Sequence, residues 1–363
     1  MAKKKTVTNK KSIAFLEQYL NNASPTGFES EGQRLRLDYI KPYVDDYFVD
    51  TYGTAVGVIN PEAKYKVVIE AHADEISWFV HYITNDGFIY LRRNGGSDHQ
   101  IAPSKRVVIH TEDGTVPAVF GWPAIHTRTP SDEKPPKPEN IFLDCGARSK
   151  EEVLKMGIDV GCVVTYEDQF MQLNNRYFVG RALDNRIGGF MIAEVARLLK
   201  ENNKSLPFGL YITNSVQEEV GLRGAQMITE RINPDVAIVT DVCHDTQTPM
   251  INKIKQGDLF SGKGPVLTYG PAVQNNLLDL IIDVAENNKI PFQRAAASRA
   301  TGTDTDAFAY STGGVASALI SLPLRYMHTT VESVHKDDVE NVIDLIYNAL
   351  LKIEDNHDFR YLK

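Results

Sequence analysis

Cysteine is scarce in this chain, with only Cys145, Cys162 and Cys243 among 363 residues. An odd, scattered set builds no disulfide framework. That excludes a small stapled fold and makes the reducing cytoplasm the expected compartment. Positive charge is in deficit too, with a formal net charge of −8, which argues against a basic face for nucleic acid. The one basic run, Lys3, Lys4, Lys5, Lys10 and Lys11, reads as a solvated terminus. Long apolar runs are missing. Ile13-Ala14-Phe15-Leu16 is cut at once by Glu17, too short for a signal-peptide core, and no later stretch is long enough to span a bilayer. Low complexity is nearly absent, and no repeat recurs at a fixed period. Neither nucleic acid nor membrane is an expected partner.

What is present is an ordinary globular composition, 42% hydrophobic and 24% charged, long enough for two domains or one large one. The pattern predicts helices over 12–20 and from about 29 to 41, on either side of a turn-rich break. An extended run over 47–59 is interrupted by Gly53 and Gly57, and Lys66-Val67-Val68-Ile69-Glu70-Ala71 reads as a short apolar strand. From about 75 to 168 short β-type runs alternate with turns, with one helical stretch over 149–156 and a proline-rich loop from Thr129 to Glu139. Beyond Phe170, strands near 208–213, 236–240 and 316–322 alternate with helices near 185–201, 221–231, 277–288 and 336–354. Such alternation predicts an α/β fold, with a mixed, mainly parallel sheet flanked by helices. The expected organisation is a discontinuous catalytic domain, 1–74 and 170–363, split by an inserted all-β unit, a small barrel, at 75–169.

Ligands of open α/β sheets collect beyond the carboxyl ends of the strands. Polar residues stand at those places here. Val68-Ile69-Glu70-Ala71 leads into His72-Ala73-Asp74-Glu75, and Leu210-Tyr211-Ile212-Thr213 leads towards Gln217-Glu218-Glu219. Val236-Ala237-Ile238-Val239 leads into Thr240-Asp241, Leu319-Ile320-Ser321-Leu322 leads towards His328, and Asp184 stands at a helix start. Singly each has a bland reading: a hydrogen-bonded histidine, a helix N-cap for Asp184, a solvated turn for Glu218-Glu219. Together they put two histidines and three carboxylates, with no cysteine, at one sheet edge. That donor set suits zinc or cobalt. Five ligands are too many for one catalytic zinc, but fit two ions when one carboxylate bridges the roughly 3.5–4 Å between them.

The ordered set His72-x-Asp74-Glu75, Ala182-Leu183-Asp184-Asn185-Arg186, Gln217-Glu218-Glu219-Val220-Gly221, Thr240-Asp241 and Arg325-Tyr326-x-His328-Thr329 resembles one family. It is that of the glutamyl and deblocking aminopeptidases, dinuclear metallopeptidases that form tetrahedral shells. The resemblance runs over nearly the whole chain and takes in Lys134-Pro135-Pro136 and Asp144-x-Gly146-Ala147. It implies a zinc-peptidase-like fold and two divalent ions per subunit, most naturally zinc, with cobalt or manganese also suited. By the resemblance, one ion takes His72 and Asp241, the other takes Glu219 and His328, and Asp184 bridges them. Asp74 then bonds the far nitrogen of His72, and Glu218 is the general base on a metal-bridging water. The implied reaction removes the N-terminal residue from short peptides. The implied assembly is a homo-oligomer of dimers forming a dodecamer, with the inserted domain at subunit contacts.

Two other functions stand beside this one: a deacylase, dipeptidase or carboxypeptidase on the same scaffold, and a metal-free assembly module. The sequence departs from the family after the Asp-Glu pair, with Ile76-Ser77-Trp78, where Trp78 packs in the β unit or narrows the mouth. The loop Thr301-Gly302-Thr303-Asp304-Thr305-Asp306 carries an extra Thr-Asp, leaving open which aspartate faces the site. Arg294, Arg299 and Arg325 are open between substrate binding and surface or ion-pair roles. His99, His126, His244 and His335 read as structural or surface residues, and Cys243 as a buried small hydrophobe.

Overall fold

Four apolar strands lie parallel at the centre of the main sheet, in the spatial order Gly209–Ser215, Lys66–His72, Val236–His244, Ala316–Arg325. Val67, Val68 and Ile69 are fully buried, as are Val236, Ala237 and Ile238, so both faces of these strands are covered. Burying a Val or Ile side chain in this way contributes about 1.5–3 kcal/mol relative to leaving it in water. The computed structural model describes residues 6–129 and 135–362. Lys3, Lys4 and Lys5 of the basic run, and Pro130 and Lys134 of the proline-rich loop, lie outside the described residues.

The sheet is mixed. Antiparallel flanks extend the parallel centre, with Ala55–Ile59 and Asp46–Val49 on one side and Glu332–His335, Tyr177–Gly180 and Met171–Leu173 on the other. The helix Leu183–Glu201 packs across Lys66–His72 and Val236–His244 and against the helix Lys336–Leu350. Two glycines let it approach so closely. A Cβ at Gly188 would lie 2.8 Å from Ala71 Cβ, and one at Gly189 would lie 2.5 Å from Asn214 Oδ1. Glycine costs a helix about 1 kcal/mol relative to alanine. Here it brings the helix start, with Asp184, down onto the strand ends.

The chain leaves the sheet after His72 and forms a closed antiparallel barrel of six strands between Ser77 and Tyr166. The barrel has its own apolar core, built on Trp78, Val80, Leu91, Ile109, Phe120 and Val164. Trp78 is fully buried there, edge-on to Phe120 at 5.7 Å between ring centroids. It is therefore a core residue of the barrel and does not shape the mouth of the site. Among the described residues, no helix is long and apolar enough to cross a membrane.

Candidate metal centre

The four parallel strands end at one edge of the sheet, and each supplies a polar side chain there. His72 closes Lys66–His72, and Asp241 lies near the end of Val236–His244. Glu218 and Glu219 follow Gly209–Ser215 in a 3₁₀ turn, and His328 follows Ala316–Arg325. Asp184 enters from the side, in the first turn of Leu183–Glu201, behind a left-handed Ala182 and before a cis Asp184–Asn185 peptide.

The two oxygens of Asp184 face different histidines. Oδ1 lies 3.2 Å from His72 Nε2, and Oδ2 lies 3.3 Å from His328 Nε2. Asp241 Oδ1 is 3.9 Å from His72 Nε2, and Glu219 Oε1 is 3.5 Å from His328 Nε2. Two compact donor groups result, His72–Asp184–Asp241 and Asp184–Glu219–His328, with Asp184 common to both. A third grouping joins His72 to Glu218 and Glu219, with Glu218 Oε2 3.8 Å from His72 Nε2.

The histidines are oriented from behind. His72 Nδ1 lies 3.2 Å from the carbonyl oxygen of Asp74 and 3.4 Å from its Oδ1. An Nδ1–H donated there leaves the Nε2 lone pair facing Asp184, the tautomer that ligates a cation. His328 Nδ1 likewise lies 3.3 Å from the carbonyl oxygen of Gly96, which follows the barrel strand Ile89–Asn94. Glycine is required at 96, since a Cβ would sit 2.5 Å from that ring nitrogen.

Further buried carboxylates hold the backbone of the ligand turns. Asp74 Oδ1 accepts from Glu218 N at 3.0 Å, and Asp74 Oδ2 accepts from Glu219 N at 3.2 Å and from Thr26 Oγ1 at 2.9 Å. Asp74 thus serves the Glu218-Glu219 turn at least as directly as it serves His72. Glu332 accepts from Asp184 N at 3.0 Å and from His328 N at 2.7 Å, tying Asp184 to His328. Sequence reasoning missed Glu332. Its position four residues past His328 is the one local signal that pointed to it. Glu75, quoted above only as part of a motif, is ion-paired to Arg181.

Electrostatics explain why these groups need a cation. Asp184, Glu218, Glu219 and Asp241 are crowded together, while the nearby arginines are spent elsewhere, Arg181 on Glu75 and Arg325 on Asp245. Burial first, then the charge of Asp184, pushes the Glu219 carboxyl up to about 8. Asp241 is pushed up to about 8 by burial and by Asp184, against the opposing pull of His72. Burial alone would lower His328, but Asp184, Glu219 and Glu332 outweigh it and raise the imidazole to about 9. Asp184, between two imidazoles, is instead held well below the usual carboxylate range, their pull exceeding the cost of its burial. Glu219 Oε1 is buried and makes no hydrogen bond. An all-nitrogen-and-oxygen donor set with an orphaned carboxylate oxygen fits divalent metal ions.

A cavity of about 720 Å³ opens beside the ligands. Its walls include Val242, Cys243, Leu259, Ala295, Ala296 and Met327, and among the described residues no lysine or arginine lines it. Arg325 is bound to Asp245 at 2.6 Å and stacks on Tyr177, and Arg294 lies over Phe292. The structure separates the two loop aspartates. Asp304 is buried beneath the site, with Oδ2 accepting from Ser215 Oγ at 2.6 Å, whereas Asp306 accepts from Thr301 N and Gly302 N and lines the cavity. His244 and Cys243 also line the cavity; His244 is exposed, as the surface reading expected, and Cys243 is half-buried. His335 caps the helix Lys336–Leu350.

Known proteins resemble this chain in sequence and in fold. The sequence profile described as M42 glutamyl aminopeptidase matches residues 53–345. A lysyl aminopeptidase of Pyrococcus furiosus is 33% identical over 340 residues, which is 93% of this chain and 96% of the relative. A glutamyl aminopeptidase of Lactococcus lactis is 29% identical over 280 residues, 75% of this chain and 76% of the relative. The crystal structure of a TET aminopeptidase from a marine-sediment Thaumarchaeota archaeon superposes with a TM-score of 0.90 at 30% identity, covering 95% of this chain and 97% of that one. The TET1 peptidase of Pyrococcus horikoshii, reported to assemble into a tetrahedron or a large octahedral shell, gives a TM-score of 0.84 at 26% identity, covering 94% of this chain and all of that one.

Proposed function

The chain belongs to the M42 glutamyl aminopeptidase family and is a metal-dependent aminopeptidase, and from that premise we propose that it uses two divalent ions per subunit, bridged by Asp184, with Glu218 as general base. His72 and Asp241 would hold one ion, and Glu219 and His328 the other. The observation that carries this reading is the Asp184 carboxylate, with one oxygen towards each histidine. Zinc suits these donors best, and cobalt or manganese are also accommodated. The ions supply Lewis acidity, acidifying water and polarising a carbonyl oxygen. The protein's own part is proton transfer and positioning. Glu218 takes the proton of the attacking water and returns it to the leaving amine. Asp74 and Glu332 keep the ligand turns in register. The remaining negative charge at the cavity mouth favours a free α-amino group, which selects the N-terminus of a peptide. Three free cysteines support a reducing, cytoplasmic setting, which is part of the proposal.

The cavity limits which residue is removed. An acidic side chain would enter a space that has Asp306 on its wall and, among the described residues, no lysine or arginine to meet it. We therefore expect kcat/KM for glutamyl and aspartyl p-nitroanilides to be at least about tenfold below those for leucyl and methionyl ones. An acidic preference in that panel would reject this reading of the cavity. Running N-acetylated peptides beside free ones separates an aminopeptidase from a deacylase, since blocked substrates should stay intact.

We further propose that subunits pair and close into a dodecamer, with the barrel at their contacts. Exposed Tyr82, Ile125 and Val160 give that unit apolar surface suited to burial. Light scattering should then report about twelve times the chain mass. A monomer at micromolar concentration would refute the assembly.

A further inference from the structure

The turn that delivers Glu218 and Glu219 offers three successive backbone N–H groups, and two buried carboxylates receive them. Asp74 takes those of Glu218 and Glu219. The third, from Gln217, goes to Glu29 Oε1 at 3.3 Å, and the same oxygen accepts from Gly27 N at 2.7 Å. Gln217 is left-handed, with φ 58° and ψ 35°, a conformation that a side-chain-bearing residue holds only when its surroundings impose it. Glu29 is remote in sequence, just before the helix Ser30–Ile40, and is 3% exposed. Backbone N–H groups of Gly27, Glu29 and Gln217 steady its charge, while Asp74 faces it with a like charge. Burial first, and then Asp74, pushes the Glu29 carboxyl up to about 7. A buried acid opposed by another acid is a poor way to gain stability. Its placement makes sense as a fixed acceptor that ties the Gln217 N–H to its own loop at Gly27. The same loop also joins the barrel to the site, since Thr26 donates to Asp74 Oδ2 and its carbonyl accepts from Asn94 Nδ2 at 2.8 Å.

We propose that Glu29 is a positioning residue for the hydrolytic step: by accepting the Gln217 N–H it fixes the left-handed turn that aims Glu218 into the site. This rests on the reading of Glu218 as general base. The expected signature is in kcat, because the amide of Glu219, the proposed ligand on this turn, is held by Asp74 and not by Glu29.

Three variants of the full, zinc-loaded chain test this with leucine p-nitroanilide, alongside zinc content by elemental analysis. Glu29→Gln keeps an acceptor oxygen at the same reach and should stay within about threefold of the parent kcat, whereas Glu29→Asp withdraws it and Glu29→Ala removes it, so both should lose about 30- to 100-fold in kcat with KM and zinc unchanged. A role in charge or bulk stability ranks Asp above Gln, and that order overturns the proposal. So does parent-like kcat in Glu29→Ala, or zinc loss that tracks the loss of turnover. If Glu29→Ala does not fold, the Gln-against-Asp order decides. Near-normal turnover of Glu218→Gln in the same assay overturns the proposal through the base on which it rests. An inactive Glu218→Gln with Asp ranked above Gln overturns it on its own.

Discussion

Glu218→Gln should lower kcat by about 10²–10⁴-fold while both metals and KM stay near those of the parent, the range that one general base contributes. That corresponds to about 3–5 kcal/mol of transition-state stabilisation. The amide keeps the shape of the side chain and can still orient a water molecule, but it cannot take its proton. Among the described residues the neighbouring carboxylates are engaged elsewhere, Asp306 by the amides of Thr301 and Gly302. Asp74 is committed to Glu218 N, Glu219 N and Thr26 Oγ1. Glu70 and Asp304 are buried on either side of the Ser215 hydroxyl. The ionisation of Glu218 itself depends on the ions. In the metal-free chain, burial first, then Asp241, Asp304 and Asp184, against the pull of His72, pushes its carboxyl up to about 10. At neutral pH it then holds a proton and is no base. Divalent ions held by the proposed ligands would reverse that local field, so Glu218 would become a base in the same state in which the site is loaded. The measurement is a steady-state assay with a chromogenic leaving group, paired with elemental analysis. Turnover within tenfold of the parent at full metal content would remove Glu218 from this role.

How much of this was readable in one dimension differs between the ligands and their supports. His72, Asp241, Glu219 and His328 each follow an apolar strand, and a β-branched run that ends in a histidine or carboxylate is a local signal. The supports have no such signal. Glu29 meets Gln217 across 188 residues of sequence, and Glu332 meets Asp184 across 148. What they recognise is a backbone N–H, which every non-proline residue has, so no residue type marks the partner. The fold divides in the same way. The parallel centre was legible because its strands are buried on both faces. Met171–Leu173, Tyr177–Gly180 and Glu332–His335 are three or four residues long, too short for alternation to register. The ambiguity between Asp304 and Asp306 has a similar cause. The two stand two residues apart at the start of the helix Asp304–Ala309 and are chemically alike, and only the packing of Ser215 against one of them and the loop amides against the other separates them.

Chelating the ions should abolish turnover and also destabilise the fold, by an amount that grows with pH. A ligand at a hundred times its Kd stabilises by about 2.7 kcal/mol per site. Two sites, at roughly 1.3 °C per kcal/mol for a chain of this length, give a fall in melting temperature of about 7 °C. The pH dependence follows from the carboxylates. In the chelated chain Glu218 is pushed up to about 10, and Glu219 and Asp241 to about 8, all above their unfolded values. Between pH 4.5 and 8 the folded state therefore binds more protons than the unfolded one, and stability falls as pH rises through that range. His328, raised to about 9, and His72, also raised, add to the same trend above pH 6.5, where the unfolded imidazoles have lost their protons. Asp184 has the opposite sign, but its contribution changes only in acid, well below this window. In the loaded chain cations take the place of these protons, and their affinity rises with pH as the ligands no longer have to be deprotonated. Melting curves with and without chelator at pH 6, 7, 8 and 9 should thus diverge steadily. A gap that stays constant or narrows towards pH 9 would mean that the buried carboxylates are neutralised by something other than the ions they are proposed to hold.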